Sequence, residues 1–314
     1  MLNGDTTMQD PQPEFQPLPG KAEPLAPGLL RVLAPNASPM TFRGTNTYLL
    51  GTREVAVIDP GPMDESHMEA ILAAVPKGGR ITQILVTHAH LDHSPLAAAL
   101  SDRVGVPVSG FGGAHAGRSE VMQALARSGT VGGGEGVDLA FSPDVILSDG
   151  DVVKGDGWQL EALHTPGHMA NHLSFAWDDV LFSGDLVMGW ATSLVSPPDG
   201  DLTTFMASLR RLQNRSWSIF HPGHGAPVGM PARRLSDLIA HRQGREFSIV
   251  RALDDGPATA AQLAARIYVD TPKSLLPAAT RNVLAHLIDL TVRSVVAPVS
   301  DLNANAQFQH NSAG

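Results

Sequence analysis

Residues 81–93 read Ile81-Thr82-Gln83-Ile84-Leu85-Val86-Thr87-His88-Ala89-His90-Leu91-Asp92-His93, an apolar run that ends in four metal-ligand-type side chains within six positions. The run has the composition of a buried strand. Where a strand runs into a loop, alternate side chains point the same way. His88 and His90 can therefore chelate one metal ion while Asp92 and His93 reach a second. Imidazole with carboxylate suits Zn, Fe or Mn. The chain contains no cysteine, which excludes thiolate ligation and disulfides.

Three more groups of the same type lie downstream. Thr165-Pro166-Gly167-His168 follows a strand-like run, Phe182-Ser183-Gly184-Asp185-Leu186 places Asp185 just beyond another, and His221-Pro222-Gly223-His224-Gly225 places His224 after a third. Each candidate sits at a strand end beside small residues, where an α/β sheet presents functional groups. The expected metal site is His88, His90, Asp92, His93, His168, Asp185 and His224.

The surrounding chain alternates in the rhythm of an α/β fold. GLLRVLAPN from residue 28, TNTYLLG and EVAVIDPG read as strands, ESHMEAILAAVP as a helix, and LDHSPLAAALSDRVG as a helix opened at the His-rich loop. Residues 111–145 are rich in glycine, which predicts a mobile insertion bordering the site with a short helix over 120–127. GTVGGGEG within it is not a phosphate loop, because no GK[ST] follows. Three short strands broken by DG and GDG turns, a hairpin across Asp178 and Asp179, an amphipathic helix from residue 201 and the strand WSIF predict a second sheet in the second half.

Beyond residue 231 three helical stretches precede VRSVVAPV, read as a small hairpin, which is the pattern of a winged helix. The expected division is an extended, poorly packed arm over 1–28, a catalytic domain over 29–240, a winged-helix-like module over 241–300 and a tail over 301–314. The 314 residues carry a net charge of -9, which argues against a large basic surface for nucleic acid. No run approaches the ~18 consecutive apolar residues of a spanning helix, and the N-terminus lacks a basic-then-apolar leader. A cytoplasmic protein without membrane association is the expectation.

At these residues the sequence resembles the metallo-β-lactamase superfamily, from about residue 29 to 240: H-x-H-x-D-H, TPGH, SGD and PGHG occur in order. The resemblance implies an αββα sandwich of the α/β class with a dinuclear centre at one sheet edge. His88, His90 and His168 would hold the first metal, Asp92, His93 and His224 the second, and Asp185 would bridge them. Asp59 in AVIDPG matches the family's early Asp, which supports the ligands from behind. The run Ser38-Pro39-Met40-Thr41-Phe42-Arg43-Gly44-Thr45-Asn46-Thr47-Tyr48, TPGHMANHLSF, and His241, Arg242, Arg245 and Glu246 resemble the endoribonuclease-like subfamily of beta-lactamase-like protein 2. Ser94-Pro95 departs from that subfamily's Ser-Gly, and Arg293-Ser294 stands where its tail has a glycine turn.

The implied chemistry is hydrolysis by a metal-bridging hydroxide on two divalent ions, Zn2+ foremost with Fe or Mn as alternatives, oriented by Asp92. Thr45, Asn46 and His172 are candidates for the substrate wall. The substrate class stays open between single-stranded RNA, by the subfamily resemblance, and a small ester, thioester or lactone. A non-catalytic DNA-binding regulator is the third reading. Residues 241–300 carry seven Lys and Arg against five Asp and Glu, and the third helix offers only Arg281, Asn282 and His286 as contacts, a thin footprint for base reading. That tail is expected to shape the site or to mediate self-association into a homo-oligomer.

Overall fold

The computed structural model describes residues 10–311. In chain order the elements are β1 (Ala22–Ala26), β2 (Leu29–Leu33), β3 (Asn46–Leu50), β4 (Glu54–Ile58), α1 (Glu65–Ala74), β5 (Arg80–Leu85), α2 (Leu96–Val104), β6 (Val108–Gly110), α3 (Glu120–Ser128) and β7 (Val145–Ile146). There follow β8 (Val152–Gly155), β9 (Trp158–His164), β10 (Leu173–Trp177), β11 (Val180–Gly184), α4 (Leu202–Gln213), β12 (Ile219–Pro222), α5 (Pro231–Ala252), β13 (Ala258–Thr259), α6 (Ala260–Ile267), α7 (Leu276–Val292), β14 (Val296–Pro298) and β15 (Gln307–His310).

Seven strands form one sheet in the order β1 to β7, antiparallel up to β4 and parallel from β4 onward. The strands of the parallel half are joined through helices, as parallel pairing requires. The second sheet runs β12-β11-β10-β9-β8. β7 joins the first sheet through β6 rather than opening the second, so the second sheet begins one strand later than the run of DG turns implies.

Both faces of each sheet are covered, and β3 and β10 are accordingly buried along nearly their whole length. Leu29, Tyr48, Leu50, Ile58 and Leu85 of the first sheet meet Leu160, Ala162, Phe175 and Phe182 of the second in one core. Ile71 of α1 and Leu96 and Leu100 of α2 close the outer face of the first sheet, and Phe205 and Leu209 of α4 with Leu235 and Leu238 of α5 close that of the second. The architecture is the expected αββα sandwich.

The chain ends are more structured than their composition suggests. Within the segment read as an arm, residues 22–26 pair with β2, Phe15 is buried, and Arg43 holds Asp10 and the Phe15 carbonyl. Residues 1–9 lie outside the described residues. Residue 240 falls inside the 22-residue α5, so the two domains are joined by a continuous helix and not by a linker. VRSVVAPV contributes β14 alone. Its partner is β15, from the segment read as a tail, and β13 completes a three-stranded wing in the order β13-β15-β14. Ser294 turns the chain ahead of β14 with a φ of 60°, the left-handed conformation that favours glycine.

The winged-helix core is not self-contained. Met122 and Leu125 of α3 and Val131 pack with Leu263, Val283, Leu287 and Phe308, while Ala285 of α7 joins the core beneath α4. α7 therefore seals two cores at once. No helix is long and apolar enough to cross a membrane among the described residues.

Trp158 links the two sheets directly: it is buried at the start of β9, and its indole N–H donates to the Glu54 carbonyl of β4 at 2.7 Å. Trp158→Ala is expected to cost about 3–5 kcal/mol in urea unfolding, with Trp158→Phe losing less because it keeps most of the packing. A loss below about 1 kcal/mol in the alanine variant would contradict this role of the inter-sheet contact.

Candidate metal centre

All seven predicted ligand side chains converge at one edge of the sandwich. The ligand atoms of His88, His90 and His168 lie within 4.8 Å of one another, as do those of Asp92, His93 and His224 and those of His88, His93 and Asp185. Asp185 reaches both sides of the cluster, with Oδ2 3.8 Å from His168 Nε2 and 3.4 Å from His224 Nε2. The loops that carry these groups leave β5, β9, β11 and β12 at the same end of the fold.

Each histidine except His90 is anchored through Nδ1. His93 Nδ1 donates to Asp59 Oδ2 at 2.9 Å, His168 Nδ1 to the Leu194 carbonyl at 2.7 Å and His224 Nδ1 to the Gly44 carbonyl at 3.1 Å. Thr87 Oγ1 donates to Asp59 Oδ2 and so accepts from His88 Nδ1 at 2.9 Å. With Nδ1 protonated and held, the Nε2 lone pair of each ring faces the cluster. Asp59 itself sits at a φ of 52°, strained for a residue with a Cβ. Its Oδ1 accepts from the Thr87 backbone N–H at 2.7 Å, which fixes the position from which it orients two ligands.

The donor set fits a divalent cation. His90 Nδ1 lies 3.0 Å from His88 Nε2 and 3.0 Å from His168 Nε2, a convergence of lone pairs that one proton cannot satisfy and a shared cation can. Asp185 Oδ1 is buried with no hydrogen-bond partner. The side chains also ask for positive charge. Burial pushes the His93 imidazole down, yet the carboxylates of Asp92, Asp185 and Asp59 outweigh it and hold its pKa well above the usual histidine range. Against the same burial, Asp185 and Asp92 raise His224 to about 10. His90, pushed by burial and then by His168, falls to about 3 and presents a neutral ring.

Two glycines let the loops close. A Cβ on Gly223 would stand 2.4 Å from Asp185 Oδ1 and 2.7 Å from His93 Cε1, and one on Gly184, at a φ of 48°, would meet His172 Nε2 at 2.5 Å. The three candidates for a substrate wall, Thr45, Asn46 and His172, are fully buried and engaged in holding these loops. Thr45 binds Asn36, Asn46 Nδ2 donates to the Pro222 and Gly225 carbonyls, and His172 bonds Thr165 Oγ1 and the Asp185 backbone N–H. Through these contacts all three hold the loops that carry the ligand-type side chains.

The segment 193–195 is a support that residue patterns did not reveal. Ser193 Oγ donates to the Asp185 carbonyl, and Leu194 offers the carbonyl that fixes His168. This segment is in turn held by the winged-helix side: Arg242 of α5 donates to the Ser193 carbonyl, and Asn282 Oδ1 of α7 accepts from Val195 N–H at 3.0 Å and from Arg242 at 3.0 Å. Arg281 donates to the carbonyls of Val131 and Pro197 and to Ser196 Oγ. The glycine-rich loop, expected to be mobile, is tied in as well, through Leu91 N–H to the Gly136 carbonyl at 2.8 Å and Gly134 N–H to Asp199 at 2.7 Å.

Comparison with known proteins agrees with this geometry. The sequence model of the metallo-beta-lactamase superfamily matches residues 40–224. The chain belongs to the metallo-β-lactamase superfamily. The beta-lactamase associated winged helix domain matches residues 259–302. A Drosophila melanogaster beta-lactamase-like protein 2 homolog is 31% identical over 278 residues, covering 85% of this chain and 88% of its own. An Aspergillus fumigatus protein named atrochrysone carboxyl ACP thioesterase is 31% identical over 268 residues, covering 79% and 76%. Among solved structures, a metallo-β-lactamase family protein of Thermus thermophilus superposes with a TM-score of 0.72 at 26% identity over 91% of this chain and 100% of that one. A Burkholderia ambifaria β-lactamase domain protein shares the fold, with a TM-score of 0.76 at 23% identity over 95% and 96%. As a member of the superfamily this chain is a hydrolase, and its His/Asp clusters mark a site for divalent metal.

Asp59→Asn replaces one of the two oxygens that accept from Thr87 and His93 by an N–H donor, without removing a ligand. Metal affinity, titrated against a competing chelator, is expected to fall about 10–100-fold. Unchanged affinity would contradict the orienting role of Asp59.

Proposed function

We propose that this hydrolase is dinuclear and cleaves a carbonyl ester or thioester. His88, His90 and His168 would hold one ion, Asp92, His93 and His224 the other, with Asp185 between them and zinc as the resident metal. Two such ions, when bound, supply Lewis acidity and bring the pKa of water toward neutrality. The remaining work falls to the protein. Asp92, with a side chain 26% accessible, is placed to orient the attacking water and to take its proton. Asp59, Thr87 and the carbonyls of Gly44 and Leu194 keep the imidazole tautomers fixed throughout turnover.

The observation that carries the substrate class is the engagement of the arginines around the ligand loops. Arg43 is paired with Asp10, Arg118 with Asp199, Arg234 with the Met188 and Ala191 carbonyls, Arg242 with Ser193 and Asn282, and Arg281 with three further acceptors on the loops. A phosphodiester chain would need free guanidinium groups there. The rim instead presents Leu91, 53% exposed between His90 and Asp92, the half-buried Leu194, and Trp190 stacked on Phe42 at 5.0 Å. An acyl chain suits that surface better. The name of the Aspergillus relative supports the same reading. Arg281, Asn282 and His286, the three contacts a DNA-reading helix would need, all face inward, which disfavours a regulator that reads bases.

Protein purified without added metal is expected to contain about two equivalents of zinc by elemental analysis. It should hydrolyse acyl thioesters and p-nitrophenyl esters, with kcat/KM reduced at least about 100-fold in Asp185→Asn while circular dichroism is unchanged. Single-stranded RNA, assayed alongside, should remain intact. Metal-dependent RNA cleavage that is lost in Asp185→Asn would overturn the substrate class in favour of a nuclease, and a metal content near zero that cannot be restored would overturn the centre itself.

A further inference from the structure

α4, α5 and α7 enclose a cavity of about 230 Å³ at the junction of the two domains. Its buried end is formed by Arg242 and His286, and its mouth by Arg210, Glu246, Asp289 and Arg293. None of the metal ligands lines it.

Arg242 is the largest fully buried side chain among the described residues. Two of its nitrogens hold Ser193 and Asn282, its guanidinium lies over the Phe205 ring at 5.0 Å, and its Nε has no partner. No carboxylate pairs with it among the described residues. A buried cation without counter-charge is costly, and proteins ordinarily match it with an anion. His286, 1% exposed, has both ring nitrogens unpartnered. Burial and the neighbouring cations keep its ring neutral, so it offers one N–H donor. The two carboxylates at the mouth are matched by two arginines there: Arg293 pairs with both Glu246 and Asp289, each at 2.7 Å, Arg210 brings the second positive charge, and Asp289 also accepts from Thr203 at 2.6 Å. The unbalanced charge of the cavity is therefore positive and lies at its buried end.

We infer that this cavity binds a small oxyanion, a carboxylate or phosphate group, with Arg242 Nε–H and a His286 ring N–H as its buried donors. The volume corresponds to roughly eight waters at about 30 Å³ each, enough for inorganic phosphate or a four-carbon dicarboxylate. Water alone can satisfy the nitrogens but brings no charge to offset the guanidinium. Arg242 also holds residue 193, whose hydroxyl donates to the Asp185 carbonyl, so the occupant and the metal centre act on one side chain. Any effect of the anion on metal affinity must then be matched by an equal effect of metal on anion affinity.

The test is calorimetric titration of the metal-loaded full-length protein with sodium phosphate and with sodium succinate, against sodium chloride at equal ionic strength. Wild type and His286→Leu are compared, since the substitution removes a donor without touching a metal ligand. Saturable binding that weakens about tenfold or more in His286→Leu is expected, and the tighter of the two anions identifies phosphate or carboxylate as the group recognised. Diffraction from wild-type crystals soaked in selenate provides a readout that needs no variant, with an anomalous peak expected between α4, α5 and α7. The inference is overturned if neither anion binds beyond the chloride control, if His286→Leu binds as tightly as wild type, or if selenate appears at the metal centre alone.

Discussion

The fixed tautomer of four histidines is the constraint from which the rest of the site follows. His88, His93, His168 and His224 each surrender Nδ1–H to a protein oxygen, and their second nitrogens then have nowhere to point but into the cluster. Asp59 is the hub on one side, accepting from Thr87 and His93 while held in a strained backbone conformation. Such strain persists only where surrounding structure over-determines it. Here the surroundings are the ends of β4 and β5, locked side by side in a parallel pair.

The other side of the cluster depends on the C-terminal module. Arg242 and Asn282 reach from α5 and α7 to residues 193–195, which carry the acceptor for His168 and the hydroxyl bonded to the Asp185 carbonyl. The winged helix thus works as a wall. Its third helix has buried residues along its whole central stretch, including the positions that a groove-reading helix would expose. A module of this shape on an acidic chain of net charge -9 is better understood as packing than as nucleic-acid recognition.

Much of this was legible in the sequence because the ligands occupy short motifs at strand ends. Four ligand types in six residues, followed by His168, Asp185 and His224 beside glycines, located every member of the cluster, and the alternation of strand and helix located the sandwich. What local sequence does not show is which separate segments come together. Nothing local reveals that Asn46 donates to the Pro222 and Gly225 carbonyls on the far side of the chain. The wing was misplaced because β14 pairs with β15 across the long, turn-rich connection that had been read as a tail. The N-terminal arm looked unstructured by its prolines, yet it docks through Phe15 and Asp10 onto Arg31 and Arg43. Arg242 stood out only as part of a motif. Its role emerges from contacts with Ser193 and Asn282, 49 and 40 residues away.

In the proposed centre the two triads are halves of one site sharing Asp185. Diffraction recorded above and below the zinc absorption edge on crystals of the metal-loaded protein tests it most directly. Two anomalous peaks about 3.5–4 Å apart are expected, one among His88, His90 and His168 and one among Asp92, His93 and His224, with a carboxylate oxygen of Asp185 within bonding distance of both. A single peak in crystals saturated with metal, or two peaks of which Asp185 touches only one, would contradict it.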